Sequence, residues 1–196
     1  MCSEYGLIFY IIGHGLRTIL VRLGEYGWLG THWKSVWKIL RVETQIIHCR
    51  AFNKRTHTRC LVSVLYGDYD LIPRRDLWGA LRTLSTGILE EPWLVLGDFN
   101  AVIDDSEVCG RAADTSASMA EFRSCIFDKG LVHLPSTGCP FTWHNCSEGT
   151  RSLWKCLDKI LVNEAWLETW PGASYLCLTE YLGSFSTCPY RHTQRC

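Results

Sequence analysis

One stretch, Trp93-Leu-Val-Leu-Gly-Asp-Phe-Asn100, limits the fold more than any other part of the chain. It opens on four consecutive apolar residues with no polar alternation. A strand of that kind is buried on both faces, so the sheet that holds it needs a layer above and a layer below. The neighbouring segments supply candidates. Gln45 to Phe52 and Cys60 to Tyr66 read as two strands joined by a turn at Asn53-Lys54-Arg55-Thr56. Asp76 to Leu84 reads as a helix with Leu77, Leu81 and Leu84 on one face. Ser118 and Glu121 have capping-box spacing for a second helix, where Met119, Phe122, Cys125 and Ile126 share a face and Gly130 marks the stop. Strands are expected over Leu131–Leu134, Phe141–His144 and Leu153–Val162, then a short helix capped by Asn163. Residues 1 to about 45 show no sustained period. Alternating strands and helices, several strands in hairpins, predict an α/β fold with mixed sheets.

A chain of 196 residues, 47% hydrophobic and 20% charged, fits one globular domain. Its formal net charge is zero. Duplex-binding modules usually carry a basic excess, because phosphate neutralisation supplies most of their affinity, so charge lends no support to tight DNA binding. Eleven cysteines is an odd number, and no C-x-x-C spacing occurs. These read as reduced thiols in a reducing compartment rather than a secreted disulfide framework. The apolar run Leu7–Ile12 is broken by Gly13-His14-Gly15 and Arg17, too short for a span and without the marks of a signal peptide. The expectation is a soluble intracellular protein, the nucleus included.

In Trp93–Asn100 a buried strand ends in Gly97, and Asp98 and Asn100 follow two apart. If strand geometry persists, the carboxylate and the amide emerge on the same side of a sheet edge. Phosphodiester hydrolysis uses such a pair: a carboxylate to orient or deprotonate water, an amide to hydrogen-bond the charged phosphate oxygens. On the tetrapeptide alone, an ordinary turn after a strand is favoured.

Context reverses that preference. Val64-Leu-Tyr-Gly67 follows a strand, and Trp78 lies in the next helix. Then come Leu96-Gly-Asp-Phe-Asn100, Gly138-Cys-Pro-Phe-Thr-Trp143 with Asn145, and Leu157-Asp-Lys-Ile-Leu-Val-Asn163 followed by Trp166. In this order the motifs, spread from about Gln45 to Glu180, resemble the endonuclease/exonuclease/phosphatase superfamily, specifically the apurinic-like endonuclease domain of plant LINE retrotransposons. The resemblance implies two mixed β-sheets packed face to face with helices outside, a four-layer αββα sandwich, here incomplete. The site would lie at one end, where loops from both sheets meet. Asp98 resembles the water-activating carboxylate, Asn100 the phosphate-binding amide, Tyr66 a phosphate-contacting tyrosine, and Asp158 the carboxylate that orients a catalytic histidine. Trp143, Asn145 and Trp154 fall near DNA-facing loops, although Trp154 reads more readily as core. Asp158 has a bland alternative too, as a strand-edge charge paired with Lys155 or Lys159. The implied cofactor is Mg²⁺ and the implied partner is DNA.

Both ends depart from the pattern. No residue matches the family's first-strand Asn or its metal-binding Glu: Glu43 stands too close to the Gln45 strand, and Glu4 and Glu25 lack the surroundings. At the other end Phe185-Ser-Thr-Cys-Pro189 keeps Cys188 and Pro189 but has Ser186 where Asp is expected and Thr187 where His is expected, with His192 beyond. The organisation expected is a divergent segment 1–44, an endonuclease-like domain 45–182 and a divergent tail 183–196. The activity expected is a degenerate Mg-dependent DNA endonuclease, inactive. The rivals are a non-catalytic remnant that binds nucleic acid or protein, and a pseudogene product. A zinc site from His133, Cys139, His144 and Cys146 is disfavoured by spacing.

Overall fold

The computed structural model describes residues 6–12, 15–22, 35–54, 56–88, 90–110 and 116–177, with backbone only for 6–12, 15–22 and Ser35. In chain order the elements are β1 (Gly6–Ile12), β2 (Gly15–Arg22), β3 (Ser35–Val42), β4 (Ile46–Asn53), β5 (Arg59–Tyr66), α1 (Leu71–Ser85), β6 (Trp93–Asp98), β7 (Val108–Gly110), α2 (Ser116–Asp128), β8 (Val132–His133), β9 (Ser136–Gly138), β10 (Trp143–His144), β11 (Leu153–Lys155), β12 (Asp158–Val162), α3 (Glu164–Thr169) and β13 (Ser174–Cys177). Six strands form one sheet in the order β3-β4-β5-β6-β12-β8, four form a second, β1-β2-β13-β9, and a small third sheet is β10-β11-β7. β5 and β6 are parallel and joined through α1, whereas β12 runs antiparallel to β6, so the large sheet is mixed.

β6 is the strand buried on both faces that the sequence demands: Trp93, Leu94, Val95 and Leu96 are each at most 1% exposed. Its side chains divide by the strand's two-residue period. Trp93 and Val95 join Leu61, Leu65 and Leu161 in a core covered by Leu77, Trp78 and Leu81 of α1 and Phe122 and Cys125 of α2. Leu94 and Leu96 join Val62, Ile160 and Val162 in a second core against Tyr175 of the four-stranded sheet and Trp166 of α3. Full burial of side chains this size is worth roughly 1.5–3 kcal/mol each, so β6 anchors both layers.

Helix α1 begins five residues before the expected Asp76, because Pro73 is tolerated in a first turn, where its missing N–H has no partner to lose. Helix α2 begins at Ser116, so Ser118 is inside the first turn rather than the cap; its Oγ instead accepts from Arg74 Nη2 at 2.7 Å. Gly130 has the positive φ, 58°, of a helix stop. The strand expected over Leu153–Val162 breaks at Cys156-Leu157, where N–H groups leave the ladder: Cys156 donates to Glu107 O, and Leu157 and Asp158 both donate to Thr142 Oγ1. Asn163 caps α3 as expected, its Oδ1 accepting from Trp166 N. Residues 6–42 hold three strands where the sequence shows no period. In β3 the cause is a register irregularity between Ile39 and Arg41 that shifts the alternation.

Candidate active site at the end of the inter-sheet core

The face of β6 that carries Leu94 and Leu96 into the inter-sheet core ends on Asp98. Asp98 pairs in register with Asp158 of antiparallel β12 on one side and with Tyr66 of parallel β5 on the other. Register partners on neighbouring strands project to the same face, about 4.8 Å apart per strand. Three of the residues selected from sequence therefore stand in one row, closing one end of the core between the sheets. Asp158 is 5% exposed and Tyr66 47%. The crowding here explains Gly97, whose φ is +144° and where a Cβ would meet the Leu65 carbonyl oxygen at 1.9 Å. Gly67 is held as closely on the other side: its N–H donates to Asp98 O, and a Cβ on it would meet Phe99 O at 2.5 Å.

Asn100 reaches this end by a different route from the one expected. Strand geometry stops at Asp98; Phe99 turns into the helical core, and Asn100 takes a left-handed φ of 46°, which Asn tolerates better than most residues. The Asn100 N–H donates to Asp98 Oδ1 at 2.8 Å, and its Nδ2 donates to Gly67 O at 2.8 Å. Asn100 thus sits in a turn that follows the strand. The amide lies beside the row, while part of its hydrogen bonding, and part of that of Asp98, is used to fix the loop.

Sequence reasoning missed the residue that organises that loop. Arg74 is 4% exposed, and its Nη1 donates to the carbonyls of Asn100 at 2.6 Å, Asp68 at 3.0 Å and Tyr69 at 3.2 Å. Burial lowers its pKa, while Asp68, Glu121, Asp98 and Asp70 oppose that shift. The signal was present: Arg74 precedes Leu77, Trp78 and Leu81 at helical spacing, an arginine on the inward face. Gln45 completes the clamp, accepting from Asp68 N and donating to Pro73 O. Lys159 is fully buried and pairs with Glu107 at 3.0 Å and with the carbonyls of Ala101 and Cys156, so Lys159 does not serve as a surface partner for Asp158.

Trp154 is core, 5% exposed, with His144 stacked on it at 4.0 Å. Trp143 is half-buried, with Lys155 Nζ 5.7 Å from its ring centre. Asn145 holds the following loop: its Oδ1 accepts from Ser147 N and Leu153 N, and its Nδ2 donates to Arg151 O. Of the zinc candidates, His133 bonds Tyr175 OH at 3.1 Å and His144 bonds Ser152 Oγ at 3.0 Å. Burial pushes the Cys60 thiol up to about 12 and those of Cys125 and Cys156 up to about 11, which makes them poor nucleophiles at neutral pH. Glu4, Glu25, Ser186, Thr187, Cys188, Pro189 and His192 lie outside the described residues.

Magnesium takes hard oxygen donors and keeps several waters. Among the described residues no group of three or more His, Cys, Asp and Glu side chains could hold a metal ion. The row contributes two carboxylates, one of them accepting from Asn100 N. Asp98 and Asp158 are the carboxylates that this end offers to such an ion among the described residues. Paired carboxylates can exchange a proton with water, and a tyrosine hydroxyl and an amide can bond an oxyanion.

The architecture is an endonuclease/exonuclease/phosphatase-like fold: a mixed α/β sandwich of several sheets and few helices. The endonuclease domain of TRAS1, a telomere-specific non-LTR retrotransposon, matches it with a TM-score of 0.55 at 11% sequence identity, over 84% of this chain and 69% of that one. An endonuclease/exonuclease/phosphatase family protein from Bacteroides thetaiotaomicron matches with a TM-score of 0.35 at 20% identity, over 61% of this chain and 41% of that one. The human Nocturnin catalytic domain matches at 0.38 and 18%, over 67% and 47%. This chain thus spans less than half of the latter two. No protein-family profile and no curated protein matches the sequence.

Proposed function

We propose that this chain is the endonuclease-like domain of a plant LINE-type retrotransposon, built to present a DNA phosphodiester to the Tyr66–Asp98–Asp158 row, and that it no longer cleaves. The row is the observation that carries the reading: three residues chosen by motif alone stand in register at one end of the inter-sheet core. Asp98 would take the water's proton, Asn100 and Tyr66 would bond the phosphate, and Asp158 would orient a histidine; Trp143 would lie against DNA. Loss of cleavage is supported by Ser186 and Thr187 where Asp and His are expected, and by the lack of a match to the family's metal-binding Glu. A second reading, a non-catalytic remnant that binds nucleic acid or protein, is favoured by the Asn100 amide, which spends one bond on Gly67 O.

Relaxation of supercoiled plasmid in Mg²⁺ tests the proposal, with Asp98→Ala as the contamination control. The expected result is no nicking by the native chain and none after Ser186→Asp with Thr187→His, since the metal donors stay incomplete. Fluorescence anisotropy with a labelled duplex reads binding separately and is expected to show weak binding that Trp143→Ala reduces. Nicking by the native chain that vanishes in Asp98→Ala would overturn the loss of activity.

A further inference from the structure

On the helix side of the large sheet, α1 and α2 pack over β5, β6 and β12 and reach Ile46 at the end of β4. Register sorts the margin beyond them into three levels on that same face. Arg41 stands beside His48 and Ser63, Lys38 beside Arg50 and Leu61, and Val36 beside Phe52 and Arg59. Leu61 belongs to the helix-side core, which fixes the face. Successive levels are two residues, about 7 Å, apart along the strands. Every level carries a cation, and Lys38, Arg41 and Arg59 are exposed. Lys54 adds another exposed cation in the turn that follows β4. Glu43 pairs with Arg41 and Glu91 with Arg50, while Lys38, Lys54 and Arg59 have no acidic partner among the described residues.

This arrangement works against the sheet. Lys38 and Arg50 are like charges placed directly opposite on neighbouring strands, which is destabilising. Arg50 and Arg41 also help to lower the pKa of His48, so positive charge outweighs negative around it. A lysine that blunts an open sheet edge would account for Lys38 on β3, but not for Arg59 on the inner strand β5. The chain as a whole has no net charge. Its candidate site is acidic, with Asp98 and Asp158 in the row and Asp68 and Asp70 in the loop that Arg74 clamps. Positive charge is therefore gathered on a face remote from the row.

We propose that this margin is a second nucleic-acid-binding surface, where Lys38, Arg41, Arg50, Lys54 and Arg59 hold a phosphate backbone without reading its sequence. The choice of nucleic acid among polyanions rests on the proposed role of the row as a phosphodiester site. Two features agree with it. The 7 Å between levels is about two nucleotide rises along one strand. Phe52 sets an aromatic ring among the cations, with Arg59 5.7 Å from its centre, as surfaces that meet exposed bases do. The chain itself offers no such polyanion: the acids outside the described residues, Glu4, Glu25, Asp114 and Glu180, are scattered over separate segments.

Fluorescence anisotropy of the full chain with labelled duplexes of unrelated sequence, over a salt series, tests this. The native chain should bind more weakly as salt rises. Lys38→Gln with Arg59→Gln should weaken binding to all the duplexes alike and lower the slope of log affinity against log salt by about two. The urea midpoint should not fall, because both side chains are exposed and one opposes Arg50. Arg82→Gln with Lys129→Gln removes the same charge elsewhere and should leave the slope unchanged. Weaker binding in Trp143→Ala with none in the Lys38/Arg59 variant would overturn the second surface and leave the role of the row standing. The reverse pattern would uphold the surface and take DNA away from the row. A native chain without salt-dependent binding, an equal loss in the Arg82/Lys129 control, or polyglutamate held as tightly as the duplex would each overturn the proposal.

Discussion

Asp98 and Asp158 face each other across adjacent antiparallel strands at the last register they share, and the Thr142 hydroxyl fixes the end of one strand while the Arg74 clamp fixes the loop beyond the other. The backbone geometry of the paired strands thus places the two carboxylates side by side. Perturbing that geometry should move the site without touching either carboxylate.

Gly97 is the most sensitive point. An alanine Cβ would come within 1.9 Å of a backbone oxygen on a core strand, at a φ of +144°. Neither strand can withdraw without opening both cores. Gly97→Ala should cost about 3 kcal/mol or more, read as a lower urea midpoint. A variant as stable as the native chain would refute the close β5–β6 approach.

Arg74 should show its effect locally. Arg74→Met keeps much of the buried stem but removes four donated bonds, three of them to loop carbonyls. Hydrogen bonds to a charged group are worth about 1.5–3 kcal/mol apiece when broken singly, and as a cooperative set they add to less than their sum. The Gly67 N–H, bonded to Asp98 O, should exchange much faster in the variant, while the Leu94 and Val95 amides stay protected. Uniform acceleration across β6 would show that Arg74 supports the whole fold rather than the loop.

Much of this was legible in the sequence, for physical reasons. The doubly buried β6 announced itself by four unbroken apolar residues, and Asn163 by its place before a helix. Tyr66, Asp98 and Asp158 came through motif order, and their shared row follows from the strand period. Arg74 stayed hidden because a charged side chain at an inward helical position reads as surface until its carbonyl partners, in loops before and long after it, are known. β3 stayed hidden because a register irregularity breaks its alternation, and Thr142 because a hydroxyl that ends a strand carries no spacing of its own.

His48 makes stability pH-dependent. It is buried at 4% exposure and bonds Ser63 Oγ at 2.8 Å, and Trp93 Nε1 donates to the same oxygen. Burial, then Arg50 and Arg41, lower its pKa from the ordinary 6.5, with Glu91 opposing. A lowered folded-state pKa means the unfolded chain takes the proton first. The contribution is therefore fully present above pH 6.5, declines as pH falls from there to the folded value, and is constant below it. His133, lowered by burial and by Lys159, adds the same sign. Thermal melts should fall below pH 6.5, and His48→Gln should make that fall shallower. An undiminished slope in the variant would assign the effect elsewhere.

Thr142 tests whether one hydroxyl sets the position of Asp158. Its Oγ1 accepts from Leu157 N and Asp158 N, both at 3.0 Å, at the point where the chain leaves the small sheet for the large one. Leu157 and Asp158 are themselves buried. Thr142→Val preserves shape and removes the acceptor, leaving two amides without it, at a desolvation cost of about 1–3 kcal/mol each where water cannot enter. Thr142→Ser restores the acceptor and loses only a methyl. The predicted order of urea midpoints is native, then serine slightly below, then valine well below. The Asp158 amide resonance should move in valine and stay near its native position in serine. A valine midpoint above the serine one would show that Thr142 acts through its methyl packing, and that the register of Asp158 is set by β6 alone.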